Sequence, residues 1–247
     1  MSNHLMEFRL AYLRAIAKGW QDDGFCQELL SSQNVFNILE KEFGFQSPWP
    51  YLTFRLVKNE SVWQPVMTGS WTSQGPPDQF HIQLPAPHLI DTQHQAEALA
   101  AYYQAFPTLF GPINHLELPD AGAGEAGSLE NVGGASTAFL DFGAVVFNAL
   151  ALSWKDSDFK AFLSDPESGL PALEKYLRFN NPWNVNIVFT FSDQFKWSSS
   201  AGRWVDAPCN RIDLNFPNPP EDENLFPIAL VAYNNTGAQY PFTCDCL

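Results

Sequence analysis

Cations are scarce in this sequence. Thirteen Lys and Arg stand against 27 Asp and Glu, a formal net charge of −14. So acidic a surface repels phosphate, which argues against nucleic acid and anionic membranes as partners. Cysteine is scarcer still, with only Cys26, Cys209, Cys244 and Cys246 in 247 residues. That is no disulfide framework, so a reducing cytoplasm is the expected compartment. No run reaches the ~18 apolar residues that a membrane span requires, and residues 1–9 carry no apolar signal segment. The glycosylation patterns at Asn59-Glu60-Ser61 and Asn234-Asn235-Thr236 are empty without such a signal. No serine lies in a Gly-x-Ser-x-Gly turn. What is abundant is apolar surface, 45 % hydrophobic and 15 % aromatic residues. That suffices for one large core or two modest ones and is too much for a disordered chain.

The chain repeats itself at a spacing of 134 residues. Ala15, Ala17, Trp20, Asp22, Phe25 and Leu29 fall on Ala149, Ala151, Trp154, Asp156, Phe159 and Leu163. Phe45, Pro48, Trp49 and Trp63 fall on Phe179, Pro182, Trp183 and Trp197. The spacing then drifts as loop indels would make it, so that Trp71 meets Trp204, Phe80 meets Ile212, and Ala98 and Tyr102 meet Ala229 and Tyr233. Order-preserving agreement on Trp, Phe and Pro marks a duplicated unit. Small and Gly-rich residues at 119–136 read as the connection. The expected organisation is a first unit at 1–118, this linker, a second unit at 137–234, and a flexible Cys-containing tail at 235–247.

Each unit shows the same order. An apolar stripe at Phe8, Tyr12, Ile16 and Trp20 predicts a first helix. Asp22 or Asp23 caps a second through Phe25 and Leu29. A third runs to Gly44, after which Pro48-Trp49-Pro50 enforces extended chain. Strands are expected at residues 51–57, 62–67 and 80–84, and a last helix around residues 98–103, with counterparts at 185–191 and about 225–233. The fold class expected is α+β: a duplicated unit of N-terminal helices, a small antiparallel β-meander and a closing helix.

Few residues point to chemistry. His88, Asp91, His94 and Glu97 suggest metal ligands, but only His94 and Glu97 have firm helical spacing, and the second unit has no histidine there. A charged helix start is the simpler reading. Acidic pairs such as Asp22-Asp23 are explained as helix caps, and Gly122, Gly124 and Gly127 as linker rather than a phosphate loop. No catalytic, cofactor or metal residue is assigned. The sequence ends differently, in Tyr240-Pro241-Phe242-Thr243-Cys244-Asp245-Cys246-Leu247. A disulfide between Cys244 and Cys246 would close a strained, very small ring. Three readings stay open for these thiols: a modification site, a soft-metal site of two thiolates and a carboxylate, or an incidental tail on a plain protein-binding module.

Trp20, Asp22 and Phe25 ahead of a Leu-containing helix recur as Trp154-Lys155-Asp156-Ser157-Asp158-Phe159. This pattern resembles the helical N-terminal region of the nitrile hydratase α subunit, as reused in nitrile-hydratase-related leader peptides. Joined to the cysteines near the end, the chain resembles the precursor of a ribosomally synthesised, post-translationally modified peptide. The resemblance is to the thiazole/oxazole-modified microcin (TOMM) bacteriocins, within them to the large-leader type whose precursors occur as tandem pairs, here fused in one chain. The Cys-x-x-Cys-Ser-Cys metal claw of true nitrile hydratases is absent, so hydratase activity does not carry over. The resemblance implies a non-enzymatic substrate with no cofactor, made in the cytoplasm, whose product is exported. Its partners would be a cyclodehydratase, other modifying enzymes and an exporter. The modified residues it implies are Cys244, Cys246 and Thr243, the last a weaker nucleophile because it offers a hydroxyl.

Overall fold

A computed structural model describes residues 4–58, 61–64, 70–72, 77–106, 135–181 and 185–235. Copy one opens with α1 (His4–Gln21), α2 (Asp23–Ser31) and α3 (Phe36–Phe43). The stripe seen in the sequence is the buried face of α1: Phe8, Ala11, Tyr12, Ala15 and Ile16 are all at most 3 % exposed. Asp22 caps α2 by accepting from the Phe25 N–H at 3.0 Å, and Gly44 ends α3 in the left-handed region at φ 75°. Copy two repeats this with α5 (Ala135–Lys155), α6 (Ser157–Ser164) and α7 (Gly169–Leu177), taking α4 (Gln95–Ala105) as the closing helix of copy one. Asp156 caps α6 by accepting from the Asp158 and Phe159 N–H groups. At the position of Gly44 stands Arg178, held left-handed at φ 55°.

The strands of copy one are β1 (Leu52–Lys58), β2 (Val62–Gln64), β3 (Ser70–Thr72) and β4 (Asp78–Pro85). Those of copy two are β5 (Val185–Ser192), β6 (Lys196–Ser198), β7 (Arg203–Asp206) and β8 (Asn210–Phe216), before α8 (Phe226–Asn235). The class is α+β and the unit is duplicated, as expected. Each copy holds a short antiparallel hairpin, β2–β3 with Trp63 opposite Trp71, and β6–β7 with Trp197 opposite Trp204. Two details differ from the sequence reading. A short strand, β3, follows the second one, and β4 begins at Asp78 rather than Phe80.

The antiparallel meander expected within each unit is reduced to its hairpin, because the long strands find their partners in the other copy. They form one four-stranded sheet in the order β1-β8-β4-β5, with β1 and β8 parallel, β4 and β5 parallel, and β4 antiparallel to β8. At the centre Phe80 lies opposite Ile212, its own counterpart in the repeat. A pseudo-twofold axis therefore passes through this pair. The ladder there is short, and side chains extend it symmetrically. Asp78 Oδ1 accepts from the Asn215 N–H at 2.7 Å, and Asn210 Oδ1 accepts from the Gln83 N–H at 2.7 Å. In β5 the repeat slips by one residue: Val185, Ile187 and Phe189 take the buried positions of Leu52, Phe54 and Leu56.

The helices cover the sheet face that carries Phe54, Phe80, Ile187 and Ile212, all fully buried. In copy one this core is aromatic, with Phe54 meeting Phe8, Tyr12 and Phe36 at centroid distances of 5.3–5.6 Å. Trp49 packs on Phe8 at 6.2 Å; its counterpart Trp183 lies outside the described residues. The opposite face carries polar positions, among them Arg55, Gln79, His81, Arg211 and Asp213.

Four indoles stitch the copies together. Trp20 Nε1 donates to Pro217 O at 2.8 Å, and its counterpart Trp154 donates to Pro85 O at 2.9 Å. Trp71 donates to Ala229 O at 3.1 Å, and its counterpart Trp204 donates to Ala98 O at 2.9 Å.

Candidate functional site where the last helix ends

Thr243, Cys244 and Cys246 lie outside the described residues, as do the Gly-rich stretch up to residue 134 and the Phe106-following segment of copy one. The structure describes the helix that leads to the tail. α8 packs against α1 and the β2–β3 hairpin. Its Ala229 carbonyl is taken by Trp71, and the Tyr233 hydroxyl shares a 3.0 Å hydrogen bond with the Tyr12 hydroxyl. At its end the guanidinium of Arg9 grips Asn234. Nε and one terminal nitrogen both donate to Asn234 Oδ1, at 2.9 and 2.6 Å, and the same terminal nitrogen reaches the Asn234 carbonyl at 3.3 Å. The chain therefore leaves the body at a point tied to α1.

Copy one ends differently. α4 is followed by Phe106, 2 % exposed, which packs on Tyr51 and Tyr102 with centroids 4.9 Å away in each case. The positions equivalent to Arg9 and Asn234 are Gly143 and Tyr103, which cannot make this clamp. The clamp is thus confined to the end of the chain that carries the paired cysteines. Sequence reasoning did not single out Arg9 or Asn234; the available signal is that both are breaks in an otherwise matched repeat.

The same signal marks a polar cluster near the pseudo-axis. Asp213 accepts from Arg211 Nε, with N···O distances of 3.0 and 3.1 Å to its two oxygens. His81 Nε2 lies 3.3 Å from the carboxylate and Arg55 Nε 3.7 Å from it. Burial pushes the Asp213 carboxyl up, but His81, Arg211 and Arg55 outweigh that and hold it below the ordinary aspartate value.

The other residues weighed from sequence fall apart in space or have structural roles. His88 pairs with Asp193 at 3.3 Å, whereas His94 faces Asp91 at 4.0 Å. Among the described residues no group of three or more His, Cys, Asp or Glu could hold a metal ion. Asp22 and Asp156 are helix caps, and Asp222 accepts from the Asn224 N–H at the turn before α8. Burial raises the Cys26 thiol above its ordinary value, with Asp23 adding to the shift. Desolvation does the same to Cys209, which is exposed as a residue but whose Sγ sits 3.9 Å from Pro50 O. Both are thereby weaker nucleophiles at neutral pH. No described helix is long and apolar enough to cross a membrane.

No curated protein and no solved structure matches the chain. A family described as "Ribosomal natural product, two-chain TOMM family" matches it twice, over residues 3–110 and residues 137–241. The second match stops one residue before Phe242. Membership of such a family implies a precursor, a protein that modifying enzymes act on. The chain belongs to the ribosomal natural product, two-chain TOMM family, and it carries the family's unit twice.

Proposed function

We propose that the paired units, residues 1–118 and 137–234 joined through 119–136, are the leader, and that residues 235–247 are the core peptide that becomes the product. The observation that carries this reading is the family match, which repeats over both units and ends at residue 241, ahead of Thr243, Cys244 and Cys246. The body supplies a fixed point of departure at Arg9 and Asn234. From there the ten residues to Cys244 reach at most about 35 Å. An enzyme bound to the body thus meets the thiols at a high effective concentration.

The chemistry is cyclodehydration by a separate enzyme. The Cys244 sulfur forms a bond to the carbonyl carbon of Thr243, the carbonyl oxygen leaves as water, and the amide nitrogen becomes the imine of a thiazoline. Cys246 does the same with the carbonyl of Asp245. Thr243 is the slower third site, because a hydroxyl is a poorer nucleophile than a thiolate. A flavin-type oxidase acting afterwards removes two hydrogens to give the thiazole. The likeness of Trp20, Asp22 and Phe25 to nitrile-hydratase-related leaders supports assignment of the body as leader. The same reading places synthesis in the cytoplasm and gives the bacteriocin-like product an exporter.

Fragment-ion mass spectrometry of the C-terminal peptide from producing cells tests this. The expected result is a loss of about 18 Da per ring, or about 20 Da after oxidation, localised to Cys244 and Cys246. An unmodified peptide would overturn it. Metal retained by Cys244-Asp245-Cys246 in place of any mass loss would favour the metal-handling reading.

A further inference from the structure

We infer that the two copies are a self-selecting pair. Each is completed by the other, and the connection through residues 107–134 is not needed to hold them together. Completion follows from the sheet. β1 and β4 of copy one are not neighbours; between them lies β8 of copy two. In the same way β5 and β8 of copy two are separated by β4 of copy one. A lone copy would hold two long strands with a gap between them, leaving backbone groups without their ladder and Phe80 or Ile212 without a facing partner. It would also lose the two indole bonds that each copy receives from the other.

Two copies of the same kind would restore the strands but not the contacts at the axis. Arg55 lies opposite Asp213, and His81 opposite Arg211. The residue equivalent to Asp213 in copy one is His81. A pair of copy-one units would therefore set Arg55 against His81, twice, with no carboxylate between them. A pair of copy-two units would set Val188 opposite Asp213 in place of Arg55, because Val188 lies opposite His81 in the β4–β5 ladder, and would put a second Asp213 where His81 stands.

Size selects in the same direction. Gly19 in α1 faces Phe216 in β8 so closely that an added Cβ would stand 2.8 Å from the ring tip. The counterpart of Gly19 is Ser153, and that of Phe216 is Leu84. A copy-two pair would press Ser153 into Phe216, and a copy-one pair would leave space between Gly19 and Leu84. The Arg9–Asn234 clamp also forms only between unlike copies, since Gly143 replaces Arg9 in copy two and Tyr103 replaces Asn234 in copy one, and a copy-two pair loses the Tyr12–Tyr233 bond because Val146 replaces Tyr12.

The test uses the full chain with a protease recognition sequence inserted within residues 119–134. After cleavage the two fragments should elute as one particle of unchanged mass, and unfolding should become dependent on protein concentration. When the cleaved chain is unfolded and refolded at roughly 10 µM, native mass spectrometry should show the unlike pair exceeding either like pair by about tenfold or more. Fragments that separate on cleavage, or that refold into a statistical mixture of pairs, would overturn the inference. Asp213→Asn in the cleaved chain should move the ratio toward statistical, and Arg55→Gln, on a half-exposed edge position, should do so in the same direction where Asp213→Asn does not fold. An unchanged ratio in a folded variant would overturn selection by charge.

Discussion

The indole of Trp20 donates to the carbonyl of Pro217, a residue nearly two hundred positions away and in the other copy. Trp154 repeats the bond to Pro85, so the duplication is visible in the energetics as well as in the sequence. Trp20→Phe and Trp154→Phe should each remove one cross-copy donor while keeping most of the apolar contact. We expect each to destabilise the protein by about 1–3 kcal/mol, with Trp20→Phe the larger because its bond is buried and that of Trp154 is partly buried. Urea unfolding of the two variants measures this. A negligible effect at both sites would contradict the cross-copy role of the indoles.

The ends of α3 and α7 offer a gain in stability. Gly44 and Arg178 occupy equivalent left-handed positions, at φ 75° and 55°. Only glycine takes this conformation without a steric cost. Arg178→Gly should therefore stabilise by roughly 0.5–1 kcal/mol. Gly44→Ala should destabilise by about 1 kcal/mol, and purely through the backbone, since an added Cβ there meets nothing within 4 Å. Thermal melts of the two variants should move in opposite directions.

Much of this was legible in the sequence. The repeat showed through Trp20 and Trp154, and the caps Asp22 and Asp156 were apparent from their place ahead of Phe25 and Phe159. Partnering of the long strands was not legible. Alternation of Leu52, Phe54 and Leu56 reports which face is buried, but says nothing of which strand lies alongside. The hairpin strand around Trp71 is only three residues long, too short to show a period. The slip of one residue in β5 was hidden because Val188 and Ile187 are equally apolar, so either could have matched Phe54. The pairing of Arg9 with Asn234 was not legible, because a cation on a helix and an Asn at a helix end each have ordinary local explanations.

Asp213 makes stability depend on acid. Its folded carboxyl titrates below the ordinary value of about 3.9. Its contribution is therefore fully present above that value and is lost as pH falls from there through the lower folded value. Asp213→Asn should weaken the protein at pH 7, and the difference from wild type should shrink on acidification across this window. Denaturant unfolding at a series of pH values follows the difference. A gap between the two proteins that stays constant down to pH 2 would contradict the charge assignment.

The tail should be separable from the body. Removing residues 240–247, or replacing Cys244 and Cys246 by Ala, should change stability by no more than roughly 0.5 kcal/mol while abolishing ring formation. Arg9→Ala loosens the departure point of the tail, so it should slow modification of Cys244 more than it lowers the melting temperature. A double Ala variant whose body unfolds would make the cysteines structural.

Counting free thiols in the chain isolated from producing cells tests the precursor assignment most directly. A thiazoline or thiazole has no thiol to alkylate, whereas Cys26 and Cys209 lie within the folded body and are expected to remain free. Alkylation of the fully denatured protein, read by intact mass, should therefore label two of the four cysteines, with Cys244 and Cys246 missing from the labelled set. Labelling of all four would show an unmodified tail and contradict the account.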